Sequence, residues 1–116
     1  MAIVDDDELM RGALQGLLRK EGLPARAFAS GEEFLSSGAQ HLSSCLLADI
    51  QMPGMSGLEL QARLNAEQIR VPVIFITAHD HERIRMQALK SGAVDVLAKP
   101  FDDAVLLRRV RAALEP

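Results

Sequence analysis

Val71-Pro72-Val73-Ile74-Phe75-Ile76-Thr77 is the most apolar segment of the chain, and it ends on a hydroxyl. A short apolar run bounded by polar sequence reads as a strand buried on both faces, as in the interior of a parallel sheet. Other runs of this kind are Ala2-Ile3-Val4, Cys45-Leu46-Leu47-Ala48 and Val94-Asp95-Val96-Leu97-Ala98. Each leads straight into charged chemistry: Asp5-Asp6, Asp49 and Lys99-Pro100 respectively. In open α/β sheets the ligand site lies just beyond the carboxyl ends of the strands. Acids, a hydroxyl and an ammonium are therefore expected at one rim, a composition suited to Mg²⁺ and a phosphoryl group.

Between these runs the sequence reads as helix. Asp7 to Glu21 carries Leu9, Ala13, Leu14, Leu17 and Leu18 as an amphipathic stripe, with Asp7 as the cap and Gly22 as the stop. Leu23 to Ala29 reads as an edge strand that tolerates Pro24 at its start. Ser30-Gly31-Glu32-Glu33 and Ser56-Gly57-Leu58-Glu59 are capping boxes, opening helices that run to about Gly38 and Gln68. His81 to Ser91 forms a helix with Ile84, Ala88 and Leu89 inward, stopped by Gly92, and a strand follows over Ala93 to Ala98. Asp102-Asp103 open a last helix with Val105, Leu106, Val110, Ala113 and Leu114 on its apolar side.

Five βα units with right-handed crossovers give an α/β fold, a flavodoxin-like doubly wound parallel sheet of five strands with five helices. The order 2-1-3-4-5 places the most apolar strands inside. Its switch point falls between the strands that end in Asp5-Asp6 and Asp49, so the acids stand where the fold offers a crevice.

Bulk properties narrow the function. With 116 residues the chain makes one domain, residues 1–116, and can bury a core without staples. A formal charge of −3 and the lack of basic runs, apart from Arg108-Arg109 and Arg111, argue against direct nucleic-acid contact. The one cysteine, Cys45, lies in an apolar strand and reads as a small buried filler. No apolar stretch approaches the ~18 residues of a membrane span and no leader pattern opens the chain, so a cytoplasmic location is expected. The short first strand and the stop just after a helix lead us to expect a longer parent protein that continues past Pro116.

Three carboxylates in one crevice repel, and a hard divalent cation with oxygen ligands relieves that repulsion. Lys99 supplies a mobile point charge and Thr77 a donor for phosphate oxygens. Together they describe phosphoryl transfer onto a carboxylate. Asp49 is the best acceptor, being central and followed by the Met52-Pro53-Gly54-Met55 loop, whereas Asp5 and Asp6 suit metal. Each residue also has a plain structural role open to it: Asp5 and Asp6 as caps, Thr77 as a β-former, Lys99-Pro100 as a turn. Their joint placement at strand ends favours the chemistry.

The motifs Ile3-Val4-Asp5-Asp6-Asp7, Ala48-Asp49-Ile50-Gln51-Met52-Pro53-Gly54-Met55-Ser56-Gly57, Ile76-Thr77-Ala78, Ser91-Gly92-Ala93 and Lys99-Pro100-Phe101 span almost the whole chain. As a set they resemble the receiver domain of bacterial two-component response regulators, most closely the FixJ/NarL-like group. The resemblance implies that Asp49 is the phosphoacceptor and that Asp5, Asp6, Asp49 and the Gln51 backbone carbonyl hold Mg²⁺. It implies that Thr77 and Lys99 contact the phosphoryl group and that the Lys99–Pro100 peptide is cis. It also implies a sensor histidine kinase as the donor, a phosphorylation-dependent homodimer as a product, and contact with DNA through a C-terminal helix-turn-helix output domain of the longer protein. Gln51 and His79 would flank the path of the hydrolytic water. Arg83, Met86, Gln87, Lys90, Asp95 and Arg108 are expected to be exposed on the output face formed by the fourth helix, fifth strand and fifth helix. One departure stands out: the family usually places Tyr or Phe three residues before the lysine, and this chain has Val96.

Two rivals fare worse. An aspartyl-nucleophile phosphatase needs a second carboxylate two residues after the nucleophile, where this chain has Gln51. A flavin carrier of the same fold wants a hydroxyl-rich first loop and aromatic rings, but the loop is Asp5-Asp6-Asp7 and the chain lacks Trp and Tyr.

Overall fold

The computed structural model describes residues 1–78 and 81–115, which leaves His79 outside the described residues. Strands β1 (Ala2–Val4), β2 (Arg26–Phe28), β3 (Leu46–Ala48), β4 (Val73–Thr77) and β5 (Asp95–Ala98) form one sheet of order β2-β1-β3-β4-β5. All four pairings are parallel. Helices α1 (Glu8–Lys20), α2 (Gly31–Ser37), α3 (Gly57–Ala66), α4 (Glu82–Lys90) and α5 (Asp103–Leu114) are the crossovers and the closing element. The fold class expected from the sequence is the one observed.

Alternation along the strands builds two cores. Val73 and Phe75 of β4 pack with Phe34 of α2, Leu60 and Leu64 of α3 and Ala88 of α4. Ile74 and Ile76, one residue out of phase, pack with Leu14 and Leu18 of α1 and Leu106 and Val110 of α5. This two-face burial is why β4 carries no polar residue before Thr77. Val4 pairs with Ala48 and Ala48 with Phe75, a register that brings Asp5 and Asp49 side by side at the ends of adjacent strands.

Several expectations at finer scale are corrected. Leu9, placed on the buried stripe of α1, is 84% exposed, and Ala13 is exposed too. A step of five residues turns a helix by roughly 140°, so Leu9 cannot share a face with Leu14; Met10, Leu14, Leu17 and Leu18 do. The same geometry exposes Leu89 while Ala88 is buried and Ile84 packs against the core. Pro24 precedes β2 rather than starting it, and β5 begins at Asp95, leaving Val94 half exposed. Helix α3 ends at Ala66, short of Gln68, and a 3₁₀ turn over Ala39–His41 went unread.

The two capping boxes differ. At Ser56 both reciprocal bonds form, Glu59 N–H to Ser56 Oγ at 3.1 Å and Ser56 N–H to Glu59 Oε1 at 3.0 Å. At Ser30 the hydroxyl accepts from Glu33 N–H, but the Glu33 carboxylate reaches one residue further back, to Ala29 N–H at 3.2 Å. Asp7 and Asp102 cap α1 and α5 as their types predict.

Candidate functional site

Asp5 extends β1 beyond the ladder and is buried, its N–H bonded to Phe28 O at 3.1 Å. Its Oδ1 accepts from Asp7 N–H at 2.9 Å, and its carbonyl accepts from Arg11 Nη1 at 2.8 Å. Asp49 extends β3 in the same way, with its N–H on Val4 O at 3.0 Å and its Oδ1 accepting from Gln51 N–H at 3.3 Å. Asp6 stands exposed beside them. One oxygen of each of Asp5, Asp6 and Asp49 lies within 4.8 Å of the others.

Lys99 reaches into this cluster from the end of β5. Its Nζ is 3.0 Å from Asp5 Oδ2 and 3.1 Å from Asp49 Oδ2, so one ammonium bridges both buried carboxylates. Its backbone N–H bonds to Thr77 O at 2.8 Å, which continues the β4–β5 ladder, and the Lys99–Pro100 peptide is cis. Thr77 ends β4 and is wholly buried.

The electrostatics follow from this sharing. Burial would lower the Lys99 pKa, but its bonds to Asp5 and Asp49 outweigh that and raise it, so the ammonium stays charged. Asp49 moves up, because burial disfavours its charged form more than its share of Lys99 favours it, and the neighbouring Asp5 charge adds to the rise. Like charges about 5 Å apart repel by roughly 3 kcal/mol at an effective dielectric near 20. Three carboxylates against one ammonium leave the crevice with an excess of two negative charges. A hard divalent cation with oxygen ligands fits that donor set and that charge.

With the switch-point carboxylates and their lysine in place, comparison with known proteins decides the family. The response regulator receiver domain model matches residues 1–111. The chain belongs to the response regulator receiver family. This receiver domain is 45% identical to nodulation protein W of Bradyrhizobium diazoefficiens over 97% of its own length and 50% of that protein's. It is 41% identical to the transcriptional regulatory protein FixJ of Azorhizobium caulinodans, over 97% of its length and 53% of FixJ's. Among solved structures, FixJ-N superposes with a TM-score of 0.89 at 36% identity, covering 97% of this chain and 90% of that one. The response regulator StyR gives a TM-score of 0.90 at 39% identity, with 97% and 57% covered. The receiver domain thus spans about half the length of the curated relatives it matches.

Of the residues expected at the site, the structure gathers Asp5, Asp6, Asp49 and Lys99, sets Gln51 against Asp49, and buries Thr77 at the adjacent strand end. On the expected output face Arg83, Met86, Gln87, Lys90 and Arg108 are exposed. Asp95 is not: it is half buried, its Oδ1 taking Arg85 at 3.3 Å and its Oδ2 taking Arg109 at 2.6 Å. Two residues that shape the site escaped the sequence reading. Arg11 ties α1 to the Asp5 backbone, and no pattern marked it. Gly57 lies so close to the end of β3 that an added Cβ would sit 2.3 Å from Asp49 O. The signal for Gly57 was a glycine at the first helical position of a capping box, where other residues are better helix formers.

Proposed function

We propose that this receiver domain is a phosphorylation-operated switch in which Asp49 accepts a phosphoryl group from the phosphohistidine of a sensor histidine kinase. The observation that carries the reading is the placement of Asp49 at the switch point, bridged by Lys99 to Asp5. A carboxylate oxygen of Asp49 attacks phosphorus, the P–N bond breaks, and the imidazole leaves. Asp5, Asp6, Asp49 and the Gln51 carbonyl form the proposed ligand set for Mg²⁺. When bound, the ion neutralises charge on the transferred group. Lys99, already shared between two carboxylates, turns its ammonium to a phosphoryl oxygen once Asp49 becomes an acyl phosphate, and keeps Asp5 as counter-ion. Thr77 offers its hydroxyl to another phosphoryl oxygen, which draws the end of β4 toward the site.

New charge of up to about −2 with strong acceptor oxygens then biases α4, β5 and α5 between two packings. The output is a homodimer contact or a DNA-binding domain further along a longer protein, in keeping with relatives about twice this length named as transcriptional regulators. The domain assists its own phosphorylation and dephosphorylation and is not a turnover enzyme.

The test is mass spectrometry after incubation with a small phosphodonor. Wild type with Mg²⁺ gains one phosphoryl group, while Asp49→Asn and chelator-treated wild type gain none. A phosphorylated Asp49→Asn variant, or an unmodified wild type, refutes the assignment. In thermal melts Mg²⁺ at tenfold excess over its Kd stabilises wild type by about 1.4 kcal/mol, an effect that chelation reverses.

A further inference from the structure

The loop from Ile50 to Ser56 carries Gln51 and is pinned at both ends by its own neighbours. Gln51 N–H bonds to Asp49 Oδ1 at 3.3 Å, and Gly57 N–H bonds to Ile50 O at 2.7 Å. The middle of the loop is held from elsewhere. Glu32, in the first turn of α2 and 23 residues away in sequence, accepts a hydrogen bond from Met55 N–H through Oε2 at 3.3 Å. The backbone is shaped to admit that carboxylate: Gly54 has a φ of 74°, and a Cβ there would lie 2.7 Å from Glu32 Oε2. Next to Glu32, the buried Gly31 packs beneath the same loop, where a Cβ would lie 3.1 Å from Met55 Sδ. Backbone hydrogen bond, side-chain packing and a left-handed glycine thus join the start of α2 to one short arc.

We propose that Glu32 is a positioning residue for phosphorylation of Asp49: its carboxylate holds the Met52–Met55 arc so that the Gln51 carbonyl faces the acid cluster. The proposal rests on the phosphoacceptor reading above. A charge-assisted bond to a carboxylate holds a loop N–H more firmly than a neutral acceptor would. Glu32 is exposed and lies outside both cores, so its replacement loosens the loop and leaves the fold intact. Glutamine keeps an oxygen acceptor at the same reach; alanine does not.

The experiment compares wild type, Glu32→Ala and Glu32→Gln in two measurements. The first is amide hydrogen exchange at Met55 in metal-free buffer, where alanine accelerates exchange about fivefold or more and glutamine by less. The second is the Mg²⁺ concentration for half-maximal phosphorylation by a small phosphodonor. Alanine raises it about three- to tenfold, and glutamine stays within about twofold of wild type. Unchanged Met55 exchange in Glu32→Ala overturns the proposal, as does faster exchange with an unchanged Mg²⁺ requirement. Glutamine as impaired as alanine also overturns it, because the hydrogen bond is then not the cause. A wild type that takes up no phosphoryl group sinks the phosphoacceptor reading itself, and this proposal with it.

Discussion

Arg85 Nη1 donates a 2.6 Å hydrogen bond to the backbone carbonyl of Val96, tying the middle of α4 to β5. The Val96 side chain packs in the core with Phe75, Leu60 and Ala88, and is 1% exposed. Asp95 completes the tie by pairing with both Arg85 and Arg109, so α4, β5 and α5 are joined by two guanidinium groups around one carboxylate. In this chain a polar clasp on the β5 backbone and on Asp95 links the two helices, with Val96 itself in the core.

Arg85→Met keeps the aliphatic stem and removes the clasp. Because the guanidinium is partly exposed, the expected loss of stability is about 1 kcal/mol, smaller than for a buried charged bond. Urea unfolding measures it, and a double-mutant cycle with Arg109→Met should show coupling through Asp95. Strict additivity of the two substitutions would mean that Asp95 does not link the helices.

Gly57→Ala places a methyl group 2.3 Å from Asp49 O, 2.8 Å from Phe75 Cε1 and 2.9 Å from Ile50 Cα. Backbone and a buried ring cannot yield as a surface side chain would, so a loss of about 2–3 kcal/mol is expected. The Asp49 strand end must shift to make room, which slows phosphorylation as well. A urea midpoint within experimental error of wild type would contradict this contact.

Asp49→Asn should melt above wild type in metal-free buffer near neutral pH. Burial lifts the folded-state pKa of Asp49 above its ordinary 3.8, so the folded state binds the proton more tightly than the unfolded state. Stability is then lost as pH rises from the unfolded value through the raised folded one, and it stays lost above both. Asparagine carries no such cost, and Lys99 keeps Asp5 as its partner. The melting temperature should rise, and the gap should close as pH falls toward the ordinary carboxylate value of 3.8. Equal melting temperatures near pH 7 would show that Lys99 fully compensates the buried charge.

Sequence by itself determined the layered fold, because the two-face burial of β4 and the strand-end polar residues are written in short-range pattern. It also marked Asp5, Asp6, Asp49, Thr77 and Lys99 as one rim, since parallel strands in register must bring their carboxyl ends together. The 140° turn at Leu9 and Leu89 was legible too, but an over-wide apolar stripe concealed it. Tertiary structure alone decided how the charges are shared. That one lysine spans both Asp5 and Asp49, that Asp95 is clasped between two helices, and that Glu32 reaches the loop after Asp49 all depend on side chains far apart in sequence. Local periodicity places a residue on a face; the partner it meets there is set by how the crossovers pack, to within a few ångströms.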